Sequence, residues 1–146
     1  MRASATFHFE DVSAFSIPNG FLSWLKGKAK THKQSFRLTY VFCSDEHLLQ
    51  INKAHLSHDY FTDIITFDKS TTPHRIQADI FISQERVEDN AKSERCSFAA
   101  ELTRVMAHGV FHLLGFGDKT EDEALIMRRL ETEAIHEILN VSRETK

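Results

Sequence analysis

Over residues 4–9, Ala5, Phe7 and Phe9 alternate with Ser4, Thr6 and His8, the two-residue period of a strand with one buried face. Residues 36–43 repeat the pattern with Phe36, Leu38, Tyr40 and Phe42. Between them, Phe21, Leu22 and Leu25 recur on one side of a segment over 18–30. That segment reads as a helix opened by Pro18, whose missing N–H has no partner in a first turn anyway. Ser44 and Asp45 can cap a helix running to about Leu56. The β-branched run from Ile64 to Phe67 and the stretch from Ile76 to Ile82 flank Thr71, Thr72 and Pro73, so they read as a hairpin or two neighbouring strands. Ser83 caps a helix through about Lys92, and Ser97 opens a longer one whose apolar positions reach Leu114 before Gly115 and Gly117 stop it. Thr120 and Glu123 have capping-box spacing for a last amphipathic helix to about Leu139. The order β-α-β-α-β-β-α-α-α predicts an α+β fold, with a small mixed sheet of about four strands against about five helices.

Composition narrows the class. With 146 residues, 41% of them hydrophobic and twelve of them Phe, the chain can bury one real core, and a single domain over 1–146 is expected. Only five Gly and two Pro argue against low complexity. The formal net charge of -3 gives no global electrostatic reason to expect nucleic acid and leaves a local basic patch open. Cys43 and Cys96 lie far apart without CxxC spacing, so they read as semi-buried thiols rather than a disulfide or a thiolate zinc site. Residues 1–10 lack the basic and continuous apolar regions of an export signal, and no run approaches the roughly 18 apolar residues that span a bilayer. The expected location is the cytoplasm, with no membrane contact.

The chemistry concentrates in MAHGVFHLLGFGDKT, residues 106–120. His108 and His112 stand four apart, so on a helix both imidazoles project from one face about a turn apart. Such a pair in an apolar helix can be a packed, hydrogen-bonded pair, or two ligands of one metal. Gly115 can turn the chain back, and Asp118 then arrives six positions after His112 as a third ligand from the loop. Three protein ligands leave a coordination position open, as catalytic zinc sites do. The spacing is that of the metzincin motif, with one departure: where zinc peptidases carry a Glu general base after the first His, this chain has Gly109. Peptidase chemistry loses its base, whereas Lewis-acid hydrolysis of a phosphodiester does not need it.

HGVFHLLGFGD at 108–118 resembles the HGxLHLxGYDH segment of the YbeY family of bacterial ribosomal RNA maturation factors. The resemblance continues in FTDIITFD at 61–68, ADIFIS at 78–83, the partial LLQIN at 48–52 and MRRLE at 127–131, in the same order as the family's blocks. It implies a single YbeY-like metallohydrolase domain that acts as a metal-dependent endoribonuclease on single-stranded RNA. It also implies work on the small ribosomal subunit, in maturation of the 3′ end of its ribosomal RNA and in late ribosome quality control; a monomer is expected, with no DNA partner. Family members hold one zinc through three His. Here the third position is Asp118, whose carboxylate is an acceptable zinc ligand and suits harder divalent ions better than imidazole does. An Arg that follows the family's Asn by four positions is replaced, since Asn52 is followed at that distance by Leu56; Lys53, His55 or His58 are the candidate substitutes.

The remaining polar residues have two readings each. Asp63 and Asp79 could orient a ligand His through its second nitrogen, or cap and start local structure. His8, His32, His47, His74 and His136 lack metal-ligand spacing and read as surface residues. Arg104, Arg128 and Arg129 read as a solvated helix face before an RNA groove. The competing functions are a non-catalytic, metal-stabilised ribosome assembly factor and a metallohydrolase of another substrate. No general acid or base is assigned.

Overall fold

The computed structural model describes residues 1–56 and 62–144. The elements follow the expected order: β1 Ala3–Phe9, α1 Phe21–His32, β2 Ser35–Cys43, α2 Asp45–Leu56, β3 Ile64–Asp68, β4 Arg75–Ser83, α3 Gln84–Glu94, α4 Phe98–Leu113 and α5 Glu121–Glu144. The strands form one mixed sheet in the order β1-β2-β4-β3. β1, β2 and β4 are parallel, and β3 pairs antiparallel with β4 at the edge. Among the described residues the fold is α+β with a four-stranded sheet and five helices.

The strand period explains the layering. Phe36, Leu38, Tyr40 and Phe42 of β2 and Ile76, Ala78, Ile80 and Ile82 of β4 are all buried on one face. There they share a core with Phe21, Trp24 and Leu25 of α1, Val87 of α3, Val105, Met106 and Val110 of α4, and Met127, Ala134 and Ile138 of α5. On the opposite face α2 covers only one end, where Leu48 packs with Cys43, Ile65, Phe67 and Phe81. Among the described residues nothing else covers that face. Tyr40, fully buried, donates its hydroxyl to the Met106 carbonyl at 2.9 Å, which ties the sheet to α4 and satisfies a group whose burial without a partner is costly.

The caps read from sequence are in place. Ser44, Ser83 and Ser97 hydroxyls accept the backbone N–H of His47, Arg86 and Ala100. Thr120 and Glu123 form the reciprocal capping box, both bonds at 3.1 Å. Three expectations need correction. α1 begins at Phe21 rather than Pro18, because the Pro18 carbonyl accepts the Phe21 N–H at 3.1 Å in a turn and Gly20 becomes the cap. α5 continues to Glu144 rather than ending near Leu139. Cys43 is buried, with its thiol pushed up to about 12 by burial, but Cys96 is exposed instead of semi-buried.

Candidate metal centre

α4 lays its apolar side on the sheet and brings His108 and His112 to the rim of an open cleft of about 500 Å³ that Asp63, Ile64, Thr66, Asp68 and Asp118 also line. Gly109 makes the close approach possible. A Cβ there would stand 3.2 Å from the Ile64 Cδ1, 3.4 Å from the Ile80 Cδ1 and 3.5 Å from the Thr66 Oγ1. The position after the first His therefore faces the sheet, with no room for the Glu of a zinc peptidase. The chain then reverses at Gly115, whose φ of 101° lies where side chains are disfavoured. The Phe116 N–H returns to the Phe111 carbonyl at 3.0 Å. Glu123 pins the following loop by accepting the N–H groups of Lys119 and Thr120 and by filling the space beside Gly117.

This turn delivers Asp118 to the two imidazoles. Its Oδ2 lies 3.5 Å from His108 Nε2 and 3.3 Å from His112 Nε2, and one ligand atom from each of the three residues lies within 4.8 Å of the others. The other ring nitrogens are occupied. His108 Nδ1 donates to Glu131 Oε2 at 2.6 Å, and His112 Nδ1 donates to the Phe116 carbonyl at 2.9 Å. With the proton on Nδ1, each Nε2 turns a lone pair toward the Asp118 carboxylate. Such lone pairs repel unless a proton or a metal ion stands among them. The set of two imidazole nitrogens and one carboxylate oxygen fits a divalent cation, and zinc in particular.

Glu131 was not singled out by sequence reasoning, although a signal exists. It falls in the stripe Met127, Glu131, Ala134, Ile138, all buried, and a carboxylate inside an apolar helical stripe requires a buried partner. Arg104 shares it. Rather than lying on a solvated face, Arg104 is largely buried, bonded through Nε to both Glu101 oxygens at 3.0 and 3.1 Å. It also reaches Glu131 at 3.4 Å and Asp63 at 3.7 Å. The hydrogen bond that Arg104 donates to Glu101, together with the charges of Glu101, Glu131 and Asp63, holds this guanidinium well above its ordinary pKa despite burial. Arg128 is exposed and approaches Glu131 at 3.7 Å, and Arg129 is exposed.

Asp63 and Asp79 do not play the orienting role. Asp63 faces Arg104, and its carbonyl accepts the Ser83 N–H; Asp79 pairs with Lys69. His55 is exposed with its ring 5.8 Å from that of Phe67, and His58 lies outside the described residues. His8, His74 and His136 are exposed, whereas His32 and His47 are half-buried, His32 resting edge-on against Phe116.

Comparison with known proteins places this geometry in context. A family model described as Endoribonuclease YbeY matches residues 6–139. A protein named Endoribonuclease YbeY from Cytophaga hutchinsonii is 45% identical over 134 residues, covering 90% of this chain and 94% of the relative. Its namesake from Flavobacterium johnsoniae is 43% identical over 130 residues, covering 88% and 93%. The solution structure of TM1509 from Thermotoga maritima superposes with a TM-score of 0.59 at 22% identity, over 97% of this chain and 93% of that one, a likeness of fold.

Proposed function

The chain belongs to the Endoribonuclease YbeY family, and from that premise we propose that it is a metal-dependent endoribonuclease, a hydrolase of phosphodiester bonds in single-stranded RNA. His108, His112 and Asp118 hold its one divalent ion, for which zinc is the expected choice and manganese or magnesium the alternatives favoured by the carboxylate. When bound, the ion supplies Lewis-acid activation of water and of the scissile phosphodiester. The chain's own residues do the rest. Glu131 and the Phe116 carbonyl keep the ligand protons on Nδ1 and fix both rings, as outer partners of metal-bound histidines do. Gly109 seats α4 close enough to β3 for the cleft to form.

The observation that carries this reading is the convergence of both Nε2 atoms on one Asp118 oxygen at 3.3 and 3.5 Å. Family membership supports RNA as the substrate class. The proposal extends to maturation of the 3′ end of small-subunit ribosomal RNA and to late quality control of the ribosome, in the cytoplasm. There the chain acts as one 1–146 domain and a monomer whose partners are ribosomal RNA and the small subunit. No helix among the described residues is long and apolar enough to cross a membrane.

The test is hydrolysis of single-stranded RNA by the metal-loaded protein beside a His112→Ala variant. Cleavage is expected only from the parent, and only before chelation. Equal cleavage by both would remove the three residues from catalysis. Metal binding without any cleavage would favour a metal-stabilised assembly factor, and turnover of a non-RNA substrate alone a different metallohydrolase.

A further inference from the structure

The metal cleft is poorly equipped to hold a polyanion. Asp63, Asp68 and Asp118 line it and no Lys or Arg among the described residues does, and the neighbouring Arg104 is committed to Glu101, Glu131 and Asp63. Phosphates flanking a scissile bond would meet carboxylates there. The cations lie elsewhere. A groove of about 1140 Å³ wraps the starting ends of β1, β2 and β4 and is lined by Arg2, Lys26, Arg37 and Arg75, with no Asp or Glu among the described residues lining it. All four are exposed. Arg37 stands mid-row on the open sheet face between the polar side chains of Ser4 and Gln77, its register partners. The acid in the next row of that face, Asp79, is neutralised by Lys69. In a chain of net charge -3, this is a strong local reversal of sign.

Shared lining residues link the groove to the metal cleft. A smaller pocket between them, lined by His32, Gln34 and His74 among others, shares Asp68 and Leu113 with the cleft and Thr72, Arg75 and Ile76 with the groove. We propose that the Arg2–Lys26–Arg37–Arg75 groove binds the phosphodiester backbone of single-stranded RNA whose scissile bond lies in the metal cleft. This rests on the RNA-hydrolase reading of the cleft and adds where the strand is gripped. Cations at the groove tolerate any base, because contacts to phosphate carry no sequence information. Four backbone contacts would make the logarithm of affinity fall with the logarithm of salt at a slope of about −3.

The experiment measures fluorescence anisotropy of a labelled, nuclease-resistant single-stranded RNA across a salt series, using the metal-loaded full chain. Wild type is compared with Arg37→Glu/Arg75→Glu and with Lys92→Glu/Arg129→Glu, which changes net charge equally at exposed sites outside the groove. Hydrolysis of a long RNA and of a very short one that fits the cleft alone is measured in parallel. The groove variant is expected to lose at least about tenfold in affinity, with a salt slope smaller by about 1.4. It is also expected to lose hydrolysis of the long RNA while cleaving the short one at the wild-type rate. The control pair should behave as wild type. Unchanged binding, or equal losses in the control, overturns the groove and leaves the cleft reading intact. Lost binding in the groove variant alone, with no hydrolysis even by wild type, keeps the groove and overturns the cleft reading. Melting curves and the milder Arg37→Gln/Arg75→Gln variant, expected to show an intermediate loss at wild-type stability, separate charge from misfolding; a loss confined to variants with a lowered melting midpoint assigns the effect to folding and overturns the proposal.

Discussion

At the scale of single residues, the candidate centre depends on a side chain that touches no substrate. Glu131 holds the Nδ1 proton of His108 and is itself nearly inaccessible, so its charge is stabilised by that bond, by Arg104 and by the more distant Arg128. Glu131→Gln keeps the shape but removes the anionic acceptor. Metal affinity should fall by about 10–100-fold, read by competition with a chromophoric chelator. Wild-type affinity in the variant would show that His108 is oriented without it. Gly109 sets the opposite kind of limit. Installing the glutamate of zinc peptidases by Gly109→Glu drives a carboxylate against Ile64 and Ile80, combining overpacking with burial of charge. A loss of about 3 kcal/mol or more in urea unfolding is expected, and no gain of peptidase activity. An unchanged unfolding midpoint would mean that α4 does not approach the sheet here.

At the scale of elements, two junctions carry testable energetics. Gly20 caps α1 where α5 passes, and a Cβ on it would lie 2.3 Å from the Ile138 carbonyl oxygen and 3.2 Å from its Cα. These are backbone atoms of a continuous helix and cannot rotate aside. Gly20→Ala should therefore destabilise the fold by about 1–3 kcal/mol, and alanine is also the poorer N-cap residue. Equal stability in chemical denaturation would place α1 further from α5. The second junction joins α2 to α3: Asp45 accepts from the Ser83 hydroxyl and from Arg86 Nε, the latter at 2.9 and 3.1 Å. Burial raises the Asp45 pKa, but the hydrogen bonds from Arg86 and Ser83 and the charge of Arg86 outweigh it, leaving it below the usual carboxylate value. A folded-state pKa below the unfolded one contributes stability that is present above the unfolded value, about 3.9, and lost as pH falls through the folded one. Asp45→Asn should flatten that part of the acid limb of a stability–pH curve while lowering stability at neutrality. An acid limb parallel to wild type would mean that another carboxylate carries it.

At the scale of the whole molecule, the core between the sheet and α1, α3, α4 and α5 is large and includes no candidate metal ligand. A domain of this length does not need a metal staple. Chelation should abolish RNA cleavage while far-ultraviolet circular dichroism and the unfolding midpoint change little. Loss of helical signal on chelation would make the site structural. The same scale decides electrostatics, because this acidic chain gathers its groove cations through the sheet register that aligns the starts of three strands and through α1, which brings Lys26 beside them.

The sequence by itself determined what is encoded within a few residues. The two-residue period of residues 36–43, the serine caps, the Thr120–Glu123 capping box, the four-residue spacing of His108 and His112 and the glycine turn before Asp118 were all legible, since each is a local backbone preference. Tertiary structure decided what depends on which elements meet. The acceptor for His108 comes from α5, twenty-three positions away, and no local rule selects it over Asp63 or Asp79. The residue before α1 must be glycine because a Cβ on Gly20 would meet the Ile138 carbonyl of α5. Arg104 looked solvated because its three carboxylate partners lie on α4, α5 and the segment before β3. The four groove cations stand far apart in sequence, each unremarkable alone. Helix and strand periods follow from short-range sterics and hydrogen bonding, whereas charge pairing across elements is fixed only once the core has closed and set their register.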